Sequence, residues 1–148
     1  MTNVVPAMLA AFILTLGIAA IGSQAPAEGS RKLQISMSGA DVVPGPGDPD
    51  GAGTAIISVN PSQGTIQFHL QVSNIDRSTA AHIHEGGSTV AGPVVVTLTP
   101  PDSSGNSVGT VKVDSRLAQS IAKSPGAYYV NVHNAAYPSG AVRGQLGK

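Results

Sequence analysis

The chain has 148 residues, of which 11% are charged, and its formal net charge is zero. This charge balance argues against binding to nucleic acid or to acidic membrane surfaces, because both require a basic face on the protein. The chain has no cysteine, so no disulfide stabilises it, and only 3% of its residues are aromatic, so the core must be built mainly from aliphatic side chains.

The first 27 residues have the composition of an export segment. A largely apolar run extends from Pro6 to Ile21, and the first charged side chain is Glu28. Signal-peptide cores contain about 7–15 apolar residues and membrane spans about 20, and this run lies between the two. Ala25 and Ala27 fit an A-x-A-like cleavage site. We predict a secretory signal peptide at residues 1–27, with an uncleaved N-terminal anchor as the alternative because the usual basic residues are missing.

Residues 28–148 are enough for one domain with one modest core, and they contain neither a repeat nor an interior linker. The predicted location is secreted or anchored at the cell surface, or periplasmic in a cell that has an outer membrane. Contact with a membrane is expected only through an uncleaved N-terminal segment. Nucleic acid is not an expected partner.

Period-2 alternation recurs in this domain in short segments separated by turn-forming residues, which is typical of an antiparallel sandwich or barrel. In chain order, strands are predicted at KLQISMSG, GTAIISVN, TIQFHLQVSNI, AAHIHEGG, GPVVVTLTP, SVGTVKVD, AYYVNVHNAAYP and AVRGQLGK. One helix is predicted at SRLAQSIAKSPG, with Asp114 or Ser115 as its N-cap. The predicted fold class is therefore all-β, an antiparallel Greek-key β-sandwich or barrel of about eight strands with one short helix.

The histidines carry the main candidate chemistry. His82 and His84 flank one isoleucine, and alternation along a strand places both imidazoles on the same face. His133 lies on a later strand, on the face that also carries Tyr129 and Asn131, and it is the obvious third ligand if the two strands pair. Imidazoles without thiolates favour Cu(II), Zn(II) or Ni(II).

Two other interpretations of these residues stay open. Histidines on an exposed strand often contact only water, and the pair can instead belong to a hydrogen-bond network with Asn131 or Tyr129. His69 is predicted on the outward face of its own strand, where it could complete the ligand set or stay solvated. Arg143 is a single cation in a late apolar strand, where a salt bridge or a clamp on carbonyl groups is the structural explanation.

Four segments of the sequence together resemble the CHRD family, whose domains were first described in chordin and are widespread in microbial secreted proteins. They are SGADVVPG, GAGTAIISVN, AAHIHEGGSTVAGPVVVTL and GAYYVNVHNAAYPSGAVRGQL. The resemblance extends from about Leu33 to Leu146 and identifies residues 28–148 as a CHRD β domain. It implies an extracellular setting but no settled activity for single-domain microbial members.

A more distant resemblance is to the copper–zinc superoxide dismutases. HIHE before a glycine turn is similar to their H-V-H-E copper motif, and they are also eight-stranded Greek-key structures. The likeness implies that His82 and His84 match the first copper ligands, His133 the late ligand and Arg143 an anion-guiding cation. The chain departs from that family because the long zinc loop and the disulfide are missing.

These observations predict a domain that binds a transition metal ion through His82, His84 and His133, with copper favoured and zinc as the alternative. A second hypothesis is a non-catalytic extracellular module that binds another protein or itself. A superoxide dismutase-like enzyme is the third. No G-x-S-x-G elbow or nucleotide-binding loop is present. The missing zinc loop narrows the expected chemistry to metal binding more than turnover, and no residue is assigned a catalytic role.

Overall fold

A computed structural model describes residues 29–147, so the predicted signal peptide or anchor lies outside the described residues. The secondary-structure elements are β1 (Arg31–Ser38), β2 (Ala52–Asn60), β3 (Thr65–Ser73), β4 (Ser78–Glu85), β5 (Val94–Leu98), β6 (Asn106–Lys112), α1 (Ser115–Lys123), β7 (Tyr128–Asn134) and β8 (Val142–Gln145). Each predicted strand and the predicted helix are found. Within residues 29–147, no helix has the length and hydropathy needed to cross a bilayer.

The eight strands form one antiparallel sheet in the order β5-β4-β7-β8-β1-β2-β3-β6. Its two end strands approach each other. The Ser107 hydroxyl of β6 donates a hydrogen bond to the Thr99 carbonyl, just beyond β5, at 2.7 Å. Farther along, β5 and β6 both line a cleft of about 540 Å³. The sheet is therefore a nearly closed barrel, which confirms the predicted fold class.

Alternate side chains of the strands fill the barrel, as the period-2 pattern predicts. The inward residues of β3 are all buried, whereas Gln67, His69 and Gln71 are exposed. Helix α1 adds Ala118 and Ile121 to the same core. Its N-cap is Asp114, whose carboxylate accepts a hydrogen bond from the Arg116 backbone N–H at 2.8 Å. Of the two predicted caps, Asp114 is the one found.

We expect Ile57→Ala to lower the free energy of unfolding by about 2–5 kcal/mol, because Ile57 is 0% exposed and its truncation leaves a cavity in the barrel. Val108→Ala is the control, since Val108 is 73% exposed, and it should change stability by less than about 0.5 kcal/mol. Chemical denaturation of the two variants measures both values. Equal losses would contradict the assignment of Ile57 to the core.

The outer face of β4, β7 and β8 carries a set of polar and aromatic residues that lie side by side. In the register of these strands, His82 is opposite Asn131, which is opposite Arg143. Two positions along, His84 is opposite Tyr129. The central strand of this set, β7, is buried on both faces apart from a partly exposed His133, so this outer face is covered by other parts of the chain.

Candidate metal centre

His82, His84 and His133 lie close together on this outer face. Strand pairing sets His133 opposite Ala80, one same-face position from His82. The ring centroids are 5.1 Å apart for His82 and His133, 5.6 Å for His82 and His84, and 6.3 Å for His84 and His133. One ring nitrogen from each residue lies within 4.8 Å of the other two. His69 lies on β3, outside this cluster, and is exposed.

Two of the three imidazoles are anchored by backbone carbonyl groups. The Nδ1 of His84 is 2.8 Å from the Gly92 carbonyl oxygen, and the Nδ1 of His133 is 2.9 Å from the Pro138 carbonyl oxygen. A carbonyl oxygen only accepts, so each Nδ1 must carry the hydrogen. In the neutral rings the Nε2 atoms of His84 and His133 therefore carry lone pairs. Such carbonyl contacts fix the tautomer and orientation of metal-ligating histidines.

The free Nε2 atoms face different neighbours. The Nε2 of His133 lies 3.2 Å from the Nδ1 of His82, so His82 donates to it when both rings are neutral. The Nε2 of His84 lies 3.1 Å from the side-chain oxygen of Asn131. A lone pair on Nε2 cannot form a hydrogen bond with a lone pair on oxygen. The contact with Asn131 therefore requires either that the Asn131 amide is rotated so that its NH2 group faces the ring, or that Nε2 is protonated. An electron-pair acceptor such as a metal ion also suits this nitrogen.

Burial differs among the three rings, and it favours the neutral forms of His82 and His133. His84 is 8% exposed, while His82 and His133 are partly buried. Desolvation lowers the pKa of His82, and the neighbouring His133 and His84 rings lower it further. Desolvation also lowers the pKa of His133, against the opposing effect of its bond to Pro138. Neutral imidazole is the form that binds a metal ion.

The segment between β4 and β5 lies over this face, and we call residues 86–92 the glycine loop. Arg143 donates to the carbonyl groups of Val90 at 2.9 Å and Gly87 at 2.7 Å. Gln145 donates to the Gly86 carbonyl at 2.6 Å. The Gly92 N–H donates to the Tyr129 hydroxyl at 3.1 Å. The loop is therefore bound along its length by side chains of β7 and β8.

Arg143 is only 2% exposed, and its guanidinium lies 3.5 Å from the centroid of the Tyr129 ring. The His84 ring also stacks on the Tyr129 ring, with the two centroids 4.7 Å apart and an interplanar angle of 7°. Of the interpretations offered by the sequence, the carbonyl clamp is the arrangement observed for Arg143. Glu85, beside the histidine pair, is exposed.

Comparison with protein families bears on these residues directly. A family model described as CHRD domain matches residues 33–146. The chain belongs to the CHRD domain family. The match includes the histidine cluster, the glycine loop and Arg143. No curated protein and no solved structure matches the chain at the threshold of significance.

The structure of this CHRD domain adds groups to the site that the sequence did not indicate. The carbonyl groups of Gly92 and Pro138 anchor two of the imidazoles, and Gln145 holds the glycine loop. Backbone carbonyls carry no residue-specific signal, so no pattern of side chains could identify them. Three glycines within seven residues after the H-x-H pair are the one available signal, because such a loop can approach a sheet closely.

The spacing of the three histidines is such that they could hold a transition metal ion. Metal–nitrogen bonds of about 2.0–2.1 Å place two ligand nitrogens no more than about 4 Å apart. The nitrogens of this cluster lie within 4.8 Å of one another, which exceeds that spacing by less than about 1 Å. His82 is partly exposed, and its one side-chain hydrogen bond within residues 29–147 is to the His133 ring, so it is the least constrained of the three. His84 and His133 are fixed by their bonds to the Gly92 and Pro138 carbonyl groups.

We expect the metal-free protein to lose stability in mild acid. The folded-state pKa values of His82 and His133 lie below the ordinary value of 6.5. Between those lowered values and 6.5 the unfolded chain binds more protons than the folded one, so the free energy of unfolding falls as pH decreases through this window. The contribution of these two histidines to the free energy of unfolding is fully retained above that range. Urea denaturation from about pH 7.5 to about pH 5 measures the slope.

A double variant, His82→Gln with His133→Gln, should show a smaller slope than the unmodified chain, because two of the groups that take up protons on unfolding are gone. His69→Gln makes the same substitution at an exposed position of β3 and is the matched control for the replacement itself. Equal slopes for the double variant and the unmodified chain would contradict the prediction.

Proposed function

We propose that this CHRD domain binds one transition metal ion through His82, His84 and His133. The observation that carries the proposal is that three imidazole nitrogens lie within 4.8 Å while two of the rings donate their Nδ1 hydrogens to backbone carbonyls. These bonds leave lone pairs on the Nε2 atoms of His84 and His133; a bound metal ion would replace the hydrogen bond that the His133 lone pair accepts from His82. Preorganised imidazoles lose little side-chain entropy when a metal binds.

Copper is the favoured metal, and zinc is the alternative. Imidazole ligands suit both ions, and a given nitrogen site generally binds Cu(II) more tightly than the other divalent first-row metals, including Zn(II). The chain has no cysteine, so it offers no thiolate for the sites that select Cu(I). Three protein ligands leave at least one position for water or another small ligand. We place the protein outside the cytoplasm, in keeping with the predicted export segment.

A structural role for the histidines is the second candidate, and one observation favours it. Both ring nitrogens of His84 already lie within hydrogen-bond distance of protein oxygens, those of Gly92 and Asn131. In this case the CHRD domain is a non-catalytic module that binds another extracellular protein or a second copy of itself. The two candidates differ in a measurable way, because a purely structural network does not take up metal.

Metal uptake by the full chain tests the proposal. After dialysis against Cu(II) or Zn(II) and then against metal-free buffer, we expect one equivalent of metal per chain by elemental analysis. The electron paramagnetic resonance spectrum of the copper form should show hyperfine coupling to imidazole nitrogen. Copper that dialyses away and retains the spectrum of the aqueous ion would reject the metal centre. Superoxide dismutation above the rate of free copper, assayed on the same sample, tests the dismutase-like alternative.

A further inference from the structure

Two side chains of β8 reach across the outer face and bind the glycine loop. Arg143 and Gln145 both project from β8, two strands away from β4. Together they donate to three carbonyl groups of the loop, those of residues 86, 87 and 90. Gln145 also donates to the Gly126 carbonyl at 2.9 Å, and Arg143 donates to the Gln145 side-chain oxygen at 3.3 Å. The loop is thus tied to the sheet at its first two residues and near its far end.

The loop in turn carries the atom that fixes His84. The Gly92 carbonyl, at its last residue, accepts from the Nδ1 of His84 at 2.8 Å. The Gly92 N–H donates to Tyr129 at 3.1 Å, so this one residue is held between two side chains of the site. A displacement of the loop that extends to Gly92 moves the acceptor away from His84. That bond decides which nitrogen of the ring carries the hydrogen.

A second path runs through the aromatic ring of Tyr129. Its neighbours are the Arg143 guanidinium, 3.5 Å from its centroid, and the His84 imidazole, 4.7 Å away and nearly parallel. Since β7 lies between β4 and β8, the ring separates the other two side chains. Cation–π attraction holds Tyr129 in the plane on which His84 stacks. Arg143 therefore acts on the orientation of His84 both through the loop and through this ring.

We propose that Arg143 and Gln145 are positioning residues for the metal centre. They hold the glycine loop where the Gly92 carbonyl keeps His84 in the tautomer with hydrogen on Nδ1, and so present the Nε2 lone pair to the metal. The part of this inference that concerns metal affinity rests on the proposed function. The part that concerns the tautomer of His84 does not, because it holds in the metal-free protein.

Arginine suits this position for geometric reasons. The planar guanidinium places its two terminal nitrogens on the carbonyls of Gly87 and Val90 while its face covers Tyr129. A lysine ammonium is a compact charge without this fork. Arg143→Lys therefore keeps the charge and loses the geometry. Gln145→Ala removes the other tie and leaves Arg143 in place.

The experiment measures the tautomer of His84 and the affinity for Cu(II) in the full chain. Imidazole nitrogen chemical shifts of ¹⁵N-histidine-labelled, metal-free protein report the tautomer. Competition with a copper chelator gives the affinity. We expect a single Nδ1–H tautomer in the unmodified chain and a mixture in Arg143→Lys and Gln145→Ala. Their Cu(II) affinity should be about 10–100-fold lower, the usual effect of losing an outer-shell partner of a ligand.

Matched controls separate positioning from a general loss of stability. Arg116→Lys and Gln67→Ala make the same substitutions at exposed positions on α1 and β3, away from the loop. Ile57→Val weakens the core. All three should keep the tautomer and the affinity. Should Arg143→Lys fail to fold, Gln145→Ala decides the question.

The outcomes for the two proposals can be told apart. If the unmodified chain binds copper and the β8 variants keep its tautomer, affinity and spectrum, the positioning role is overturned and the metal centre stands. If the chain takes up no metal but the variants lose the single tautomer, the proposed function fails and the positioning of His84 is supported. A mixed tautomer in the unmodified chain would overturn the inference directly.

Discussion

Replacing His84 with alanine is expected to lower the Cu(II) affinity of the full chain by more than about 100-fold, beyond what the loss of an outer-shell partner costs. His84 is buried at 8% exposure and anchored to Gly92, so water cannot substitute for the ring in the same geometry. His82→Ala and His133→Ala should cause losses of similar size, because each removes one of the three proposed nitrogen ligands. Chelator competition measures all three affinities.

His69→Ala is the matched control for this series. It removes the same side chain from an exposed position on β3 and should keep the affinity of the unmodified chain. A surface site of adventitious copper would behave differently, because His69→Ala would then weaken binding as much as the others. Unchanged affinity in all three cluster variants would reject the assigned ligands.

The same series distinguishes metal binding from a structural histidine network. His82→Ala removes the hydrogen bond to His133, so a purely structural role predicts the same loss of unfolding free energy with and without metal. A metal centre predicts a larger loss when metal is present, because bound metal stabilises the unmodified chain through mass action and the variant cannot gain that stabilisation. Chemical denaturation with added Zn(II) or with a chelator gives the comparison.

Gly92→Ala is expected to disrupt the site without touching a ligand. A Cβ at residue 92 would lie 1.6 Å from the Glu85 carbonyl oxygen, far inside any real contact. The backbone must therefore move, and its bonds to His84 and Tyr129 break. We expect a loss of about 1–3 kcal/mol in unfolding free energy, as for other overpacked positions. The Cu(II) affinity should fall at least about tenfold.

Gly87→Ala provides the comparison within the same loop. No atom lies within 4 Å of a Cβ built at Gly87, so the added methyl group meets open space. This variant should keep its unfolding free energy within about 0.5 kcal/mol and bind Cu(II) normally. Denaturation and chelator competition on the pair give both quantities. If Gly92→Ala behaved like Gly87→Ala, the loop position would be irrelevant to the site.

The fold could be predicted from the sequence because its strands are short, regular and half-buried. Ile66, Phe68, Leu70 and Val72 alternate with polar residues and all prove buried. The helix is equally predictable from the sequence, because its apolar residues lie four apart and a capping aspartate precedes them. Strand order was not predictable in detail, since alternation shows which face of a strand is inward but not which strand lies beside it.

The candidate site was predictable only in part, for the same reason. Alternation placed His82 and His84 on one face, and the pairing of β4 with β7 then brought His133 beside them. The sequence does not predict that the glycine loop covers the outer face of β4, β7 and β8. This covering depends on a loop whose position is set by bonds from Arg143 to backbone carbonyls, which have no counterpart in a side-chain pattern. The role of Arg143 therefore follows from the fold and not from the sequence pattern.

The limited pairing of β1 with β8 divides the sheet into two halves. These strands share a single register pair, Ser38 with Arg143, whereas β4 pairs with β7 along almost its whole length. The three histidines and the side chains that hold the glycine loop all belong to β4, β7 and β8. One half of the sheet thus bears the candidate site, while the other runs from β1 to β6 in sheet order. Gln34 and Ser36 of β1 line a cavity together with Arg143 and Gln145, so replacements are expected to leave the histidine cluster undisturbed only on the outer surface of β2, β3 and β6.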